Sequence, residues 1–177
     1  IDFSNDTATA SPRAPLSTAK RYVMGAGTNS HGYFAGGSQP NYISTIDRLD
    51  YASDTTAMVP AGPLWETQWA TGGGTGNASY AYFGGGYDSA DPISHTARLD
   101  YANDTYTTSV GPLSEAANEV RSVASKTHGY WSLGYNNSNI QRVDFGNDSP
   151  TTTNRGTITP RTNLYAVGNE SYGYMAG

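Results

Sequence analysis

Short apolar clusters alternate with polar turns along the whole chain, and the alternation has a beat. Ile1-Asp2-Phe3 recurs as Leu49-Asp50-Tyr51, Leu99-Asp100-Tyr101 and Val143-Asp144-Phe145, at steps of 48, 50 and 44 residues. A polar turn follows each: Ser4-Asn5-Asp6-Thr7, Ala52-Ser53-Asp54-Thr55, Ala102-Asn103-Asp104-Thr105 and Gly146-Asn147-Asp148-Ser149. A Thr-rich run comes next. Three copies then reach Ala14-Pro15-Leu16, Gly62-Pro63-Leu64 and Gly111-Pro112-Leu113, and the fourth reaches Gly156-Thr157-Ile158. A second marker keeps the same phase. Gly32-Tyr33-Phe34-Ala35-Gly36-Gly37 returns as Ala81-Tyr82-Phe83-Gly84-Gly85-Gly86, weakens at Gly129-Tyr130-Trp131-Ser132-Leu133-Gly134, and closes as Gly173-Tyr174-Met175-Ala176-Gly177. Two markers locked in phase predict a repeat architecture.

Each unit predicts four short strands. In the first they fall near 21–26, 32–36, 44–51 and 55–59, with Asn29-Ser30 as a tight turn between the first two. Four antiparallel strands per unit of this length predict an all-β chain folded as a β-propeller of four-stranded blades. The whole of 1–177 reads as a single repeat domain with units at about 1–48, 49–98, 99–142 and 143–177. The units form either a closed four-bladed ring or an arc of a larger propeller. The N-terminal strands are expected to complete the C-terminal blade. Gly36, Gly37, Gly85 and Gly86 are expected to let the backbone pass close and turn to positive φ where the second strand stops. The Tyr-Phe pair before them places one ring on each sheet face.

Composition agrees. The chain has 7 Leu, 4 Glu and 2 Lys against 21 Gly, 21 Thr, 18 Ser, 14 Tyr and 13 Asn, which disfavours helices and favours strands and turns. Leu, Ile, Val and Phe supply only 24 of 177 residues, but aromatics reach 12% and the net charge is only −5, which argues against disorder. The core is therefore expected from Tyr, Ala, Val and close-packed Gly. With 10 Lys+Arg against 15 Asp+Glu, the chain lacks the basic excess a nucleic-acid binder needs. No apolar run is long enough to span a bilayer. The absence of cysteine removes disulfides, thiolate metal sites and cysteine nucleophiles.

The aromatic plus Gly-Gly close of the second strand resembles a kelch repeat, although the Tyr and Trp that follow the Gly pair in kelch blades are not consistently present. Residues 1–11, Pro15-Leu16-Ser17 and the Gly-Tyr-Phe-x-Gly-Gly of 32–37 resemble repeats of marine bacteriophage, especially cyanophage, tail-fibre and virion structural proteins. That resemblance implies a virion or extracellular location. It also implies partners among neighbouring surface subunits, with a host-surface glycan as a further candidate, and leaves homo-oligomers open.

Candidate chemistry is sparse. Asp2, Asp50, Asp100 and Asp144 recur in every unit and are expected to accept backbone N–H groups of a neighbouring loop, since a catalytic site is needed only once. Asp6, Asp54, Asp104 and Asp148 read as turn formers that bond the backbone two residues on. Neither set has the spacing of a calcium loop. Gly72-Gly73-Gly74-Thr75-Gly76 lacks the Lys and helix of a phosphate loop. His31, His95 and His128 have no metal-ligand spacing. The six Asn-x-Ser/Thr sequons are expected from turn chemistry. Ligand-binding candidates are loop aromatics that break the repeat: Trp65, Trp69, Tyr42 and Tyr87. The expected function is a non-enzymatic structural and binding module without metal or cofactor. The alternatives are a carbohydrate-binding lectin and, behind it, a propeller-fold hydrolase or oxidase domain.

Overall fold

The computed structural model describes residues 12–177 except 55, 65–71, 89, 108–109, 135 and 149–150. Sixteen strands follow in order: β1 (Met24–Gly27), β2 (His31–Ala35), β3 (Ser38–Gln39), β4 (Asn41–Tyr42), β5 (Thr45–Asp50), β6 (Val59–Pro63), β7 (Gly73–Gly76), β8 (Tyr80–Gly84), β9 (Thr96–Asp100), β10 (Thr105–Thr107), β11 (Arg121–Ala124), β12 (His128–Ser132), β13 (Asn139–Asp144), β14 (Thr153–Thr157), β15 (Tyr165–Gly168) and β16 (Gly173–Ala176). Among the described residues the single helical element is the 3₁₀ turn Tyr51–Ser53. The chain is all-β.

The strands form three antiparallel four-stranded sheets, ordered β1-β2-β5-β6, β7-β8-β9-β10 and β11-β12-β13-β14, followed by the pair β15-β16. The small hairpin β3-β4 sits on the β2–β5 connection. The first hairpin of every sheet is set by one side chain. Thr28 Oγ1 accepts from the Ser30 and His31 N–H groups, Asn77 Oδ1 from Ser79 and Tyr80, Ser125 Oγ from Thr127 and His128, and Asn169 Oδ1 from Ser171 and Tyr172. These are Asx and Ser/Thr turns. Two of the sequon asparagines, Asn77 and Asn169, thus work as hairpin formers.

The fourth strand of the first sheet departs from expectation. It occupies Val59–Pro63 rather than 55–59. The register slips between Thr45 and Asp47, which carries the pairing past the Thr run to Pro60 and Pro63. Prolines are tolerated there because β6 is an edge strand.

The sheets pack face to face in chain order. Met24, Tyr33, Ile46, Leu64, Phe83 and Leu99 form the core between the first and second. Tyr82, Leu113, Val120, Trp131, Leu133 and Val143 form the core between the second and third. The first strands follow one another, β1 against β7, β7 against β11 and β11 against β15. Gly74 shows why glycine is needed at this approach: a Cβ there would stand 2.3 Å from the Gly25 carbonyl oxygen. Gly36, Gly37, Gly85 and Gly86 all have positive φ, at 65°, 108°, 70° and 103°, where the second strand stops. The Tyr of each marker faces the following sheet and the aromatic after it faces the preceding one, so Tyr33 shares a core with Phe83, and Tyr82 with Trp131.

Candidate functional site

A polar clamp recurs at the seams between sheets. In the antiparallel registers Tyr33 lies opposite Arg48, Tyr82 opposite Arg98 and Tyr130 opposite Arg142. Directly opposed residues share a sheet face, so each pair presents a phenol beside a guanidinium. Tyr33 Oη donates to Asp104 Oδ1 at 3.1 Å, and Arg48 Nη1 donates to Asp104 Oδ2. One seam later Tyr82 Oη donates to Asp148 Oδ1 at 2.6 Å, and Arg98 Nη1 to Asp148 Oδ2. The ring three residues before each Asp completes the clamp. Tyr101 stacks on Tyr33 at 4.8 Å between centroids, and Phe145 on Tyr82 at 4.9 Å. One sheet therefore offers an aromatic-x-x-Asp turn, and the sheet before it receives that turn with Tyr and Arg.

The two Asp series exchange the roles expected of them. Asp50, Asp100 and Asp144 end the third strand and accept from the N–H two residues on, at 2.8 Å each from Ala52, Ala102 and Gly146. They cap their own turns rather than a neighbouring loop. Asp104 and Asp148 leave the turn and cross to the preceding sheet. Their φ angles of 54° and 51° aim them there. Asp54 pairs instead with Arg13 at 3.3 Å. Asp2 and Asp6 lie outside the described residues. The recurring arginines were missed because a charged residue within a strand reads as solvent-facing. The signal was present in Arg48-Leu49-Asp50-Tyr51, Arg98-Leu99-Asp100-Tyr101 and Arg142-Val143-Asp144-Phe145.

Burial, with the charge and hydrogen bond of Asp104 behind it, pushes the Tyr33 phenol up to about 12. Burial first, then Asp148, raises Tyr82. Burial, then the neighbouring phenols Tyr33 and Tyr51, raises Tyr101. In the unfolded chain a phenol ionises near pH 10. Between that value and the folded one the unfolded state has lost protons that the native state keeps, so stability falls as pH rises. Stability is expected to be level up to about pH 9 and to decline from about pH 10 to 12. Denaturant midpoints across this range, with Tyr33→Phe/Tyr82→Phe flattening the decline, are the check.

The loop candidates divide. Tyr42 lies in β4 on the β2–β5 connection, and Tyr87 pairs with Pro92 on the β8–β9 connection; both are half-buried. These are equivalent connections of neighbouring sheets. Trp65 and Trp69 lie outside the described residues. His31 and His128 begin β2 and β12, each sharing a hydrogen bond at 2.8 Å with the hydroxyl before it, Ser30 or Thr127. Among the described residues no group of three His, Asp or Glu gathers to hold a metal.

Two cavities of about 370 Å³ each are lined by described residues. The first lies where the first strands converge, lined by Tyr22, Met24, Gly74, Arg121, Ser122 and Tyr165 among others, with no carboxylate in its described lining. Its Arg121 is engaged, donating from Nε to the Leu164 carbonyl at 2.6 Å and from Nη1 to the Val120 carbonyl at 2.9 Å. The second is more apolar and opens beside the last pair of strands, lined by Val123, Tyr130, Ile140, Ile158, Tyr172 and Met175 among others. Among the described residues no helix is long and apolar enough to cross a membrane.

No known protein family and no curated protein matches the sequence. The fold is similar to that of the solved structure of YjhT, with a TM-score of 0.77 at 9% identity over 93% of this chain. The chain spans 59% of that structure's length, and at such low identity the likeness is one of fold alone.

Proposed function

We propose that the chain is a kelch-like β-propeller module without a reaction centre, acting as a structural and binding element of a virion or extracellular surface. Its sheets would stand as wedges about the axis marked by β1, β7, β11 and β15. Its loops would present aromatic rings to a glycan or to a neighbouring subunit. The observation that carries this reading is the use of the recurring polar residues. Tyr33, Arg48 and Asp104 bond one another, as do Tyr82, Arg98 and Asp148. Asp50, Asp100 and Asp144 cap their own turns. Scaffold duties recur with the repeat, whereas ligand duties fall to residues that break it, which leaves the loops as the place for recognition. The surface location rests on the sequence resemblance to phage structural repeats. A lectin with one equal pocket per unit fits less well, because the β2–β5 connection carries the hairpin β3-β4 and the β8–β9 connection the isolated bridge Tyr87–Pro92 in its place.

A glycan array and a pull-down of subunits from the same particle test the reading. Binding to one of them is expected, falling about tenfold or more in Trp65→Ala/Trp69→Ala or in Tyr42→Ala/Tyr87→Ala, with the melting temperature kept. Absence of binding in both assays, or binding that all four substitutions leave unchanged, would overturn it.

A further inference from the structure

Half of a third clamp stands open. Tyr130 and Arg142 face each other across β12 and β13 in the register that Tyr33–Arg48 and Tyr82–Arg98 occupy. Both are half-buried, and among the described residues neither side chain has a hydrogen bond or an ion pair. Tyr130 lines the apolar groove of about 370 Å³. Val123 and Ile140 of that lining share the sheet face of Tyr130 and Arg142, and Ile158, Tyr172 and Met175 complete its apolar part. An apolar groove beside a phenol and a guanidinium suits an occupant that joins an aromatic ring to a carboxylate.

The molecule shows twice what such a pair takes. At both filled clamps the occupant is a turn in which an Asp, an aromatic residue, a small residue, an Asn and a second Asp follow one another: residues 100–104 at one and 144–148 at the other. The first Asp caps the turn, the ring stacks on the Tyr, and the second Asp accepts from the phenol and the guanidinium. That second Asp reaches across because its backbone is left-handed, with φ of 54° and 51°. The filled clamps also carry an Asp two positions after their Arg, Asp50 and Asp100, so Asp144 after Arg142 does not bar a carboxylate.

We infer that the groove beside Tyr130 and Arg142 is a docking site for a turn of a neighbouring protein subunit, one with an aromatic residue three positions before a left-handed aspartate. The ring lies on Tyr130, and the carboxylate accepts from Tyr130 Oη and Arg142. The site rests on the proposed role as a module that meets neighbouring subunits, and it supplies the chemistry of one such meeting. A second copy of this chain is a poorer occupant. Its exposed turn of this kind is Tyr51-Ala52-Ser53-Asp54, with Tyr51 49% exposed. Asp54 there has a φ of −71° and pairs with Arg13 at 3.3 Å, so its carboxylate is neither aimed outward nor free.

A head-to-tail cyclised peptide containing Leu-Asp-Tyr-Ala-Asn-Asp, the sequence of residues 99–104, is the probe. Titrated to about 1 mM into the isotope-labelled full chain, it is expected to bind and to shift the amide resonances of Val123, Tyr130, Ile140 and Tyr172. Its affinity is expected to fall about tenfold or more when its last Asp is replaced by Asn, and equally when the protein carries Arg142→Ala. The Asn peptide meets the unaltered chain, so the comparison holds even if Arg142→Ala disturbs the fold. No binding to the parent chain, or equal binding of the two peptides, would overturn the inference. Phenylacetate binding as tightly as the peptide would do so too, by making the groove a site for small acids. Binding confined to the full chain carrying Phe3→Ala/Asp6→Ala would give the groove to the chain's own residues of matching pattern, and parent dimers that Asp54→Ala removes would give it to a second copy; either result overturns it. A subunit pull-down that succeeds where the peptide fails would remove this site and leave the proposed function standing.

Discussion

Unfolding of Asp47→Ala is expected to need about 3–5 kcal/mol less free energy than unfolding of the parent chain. Asp47 lies on β5 with a fully buried side chain, and Lys20 Nζ, equally buried, stands 3.1 Å from its Oδ2. Apart from Lys20, neither carboxylate oxygen has a hydrogen-bond partner among the described residues. Lys20 also donates to the carbonyls of Thr45 at 3.2 Å and Phe34 at 3.4 Å. Removing the carboxylate leaves a buried ammonium with only the two carbonyls to meet it, and the desolvation that the pair offset is then largely uncompensated. Against the ~5–15 kcal/mol that holds a typical domain together, this is a large share. A well-packed apolar replacement of both partners, Lys20→Met/Asp47→Leu, is expected to recover most of the loss. The other sheets already do without a charge at this place: opposite Phe83 and Trp131, where the first sheet has Asp47 opposite Phe34, stand Ala97 and Gln141. Denaturant unfolding followed by tyrosine and tryptophan fluorescence decides it. A single variant within about 1 kcal/mol of the parent would show that the pair is not held away from water.

Trp131→Ala is the second large effect, about 3–5 kcal/mol. The indole is fully buried between the second and third sheets, and its Nε1 donates to the Gly73 carbonyl at 3.2 Å. The facing sheet is shaped to receive it. A Cβ on Gly73 would stand 2.8 Å from the indole Cδ1, and one on Gly84 3.5 Å from Cε2. Truncation therefore opens a cavity against the glycine backbone of the facing sheet and removes the hydrogen bond to the Gly73 carbonyl. Trp131→Phe keeps most of the ring volume and is expected to cost clearly less. Calorimetric melting of the two variants separates lost volume from the lost hydrogen bond.

The all-β, four-strand repeat was legible because its markers are local. The Asp that ends each third strand, the Gly pair at positive φ and the polar hairpin turns act within a few residues of themselves, so spacing alone reveals them. The two Asp series show where that stops. Asp100 and Asp104 stand four positions apart in one polar turn, and either could bond the backbone two residues on. The left-handed backbone at Asp104 turns its carboxylate across the seam, and nothing in the turn's composition announces this. The edge strand β6 was misplaced for a related reason: the slip opposite Ile46 depends on pairing with β5, not on the Thr content of the run before it.

The order of residues by itself determined that this protein is a repeated sheet module, poor in helix formers and dependent on Tyr and Gly for its core. Hydrophobic periodicity and turn chemistry are short-range, and each unit states them again. Only the tertiary structure decided which residues meet. Tyr33 finds Asp104 across 71 positions, Arg98 finds Asp148 across 50, and Lys20 meets Asp47 although no other unit repeats that pair. Such contacts arise from the way one sheet stacks on the next, and a pattern read along a single strand holds no record of the face it will cover.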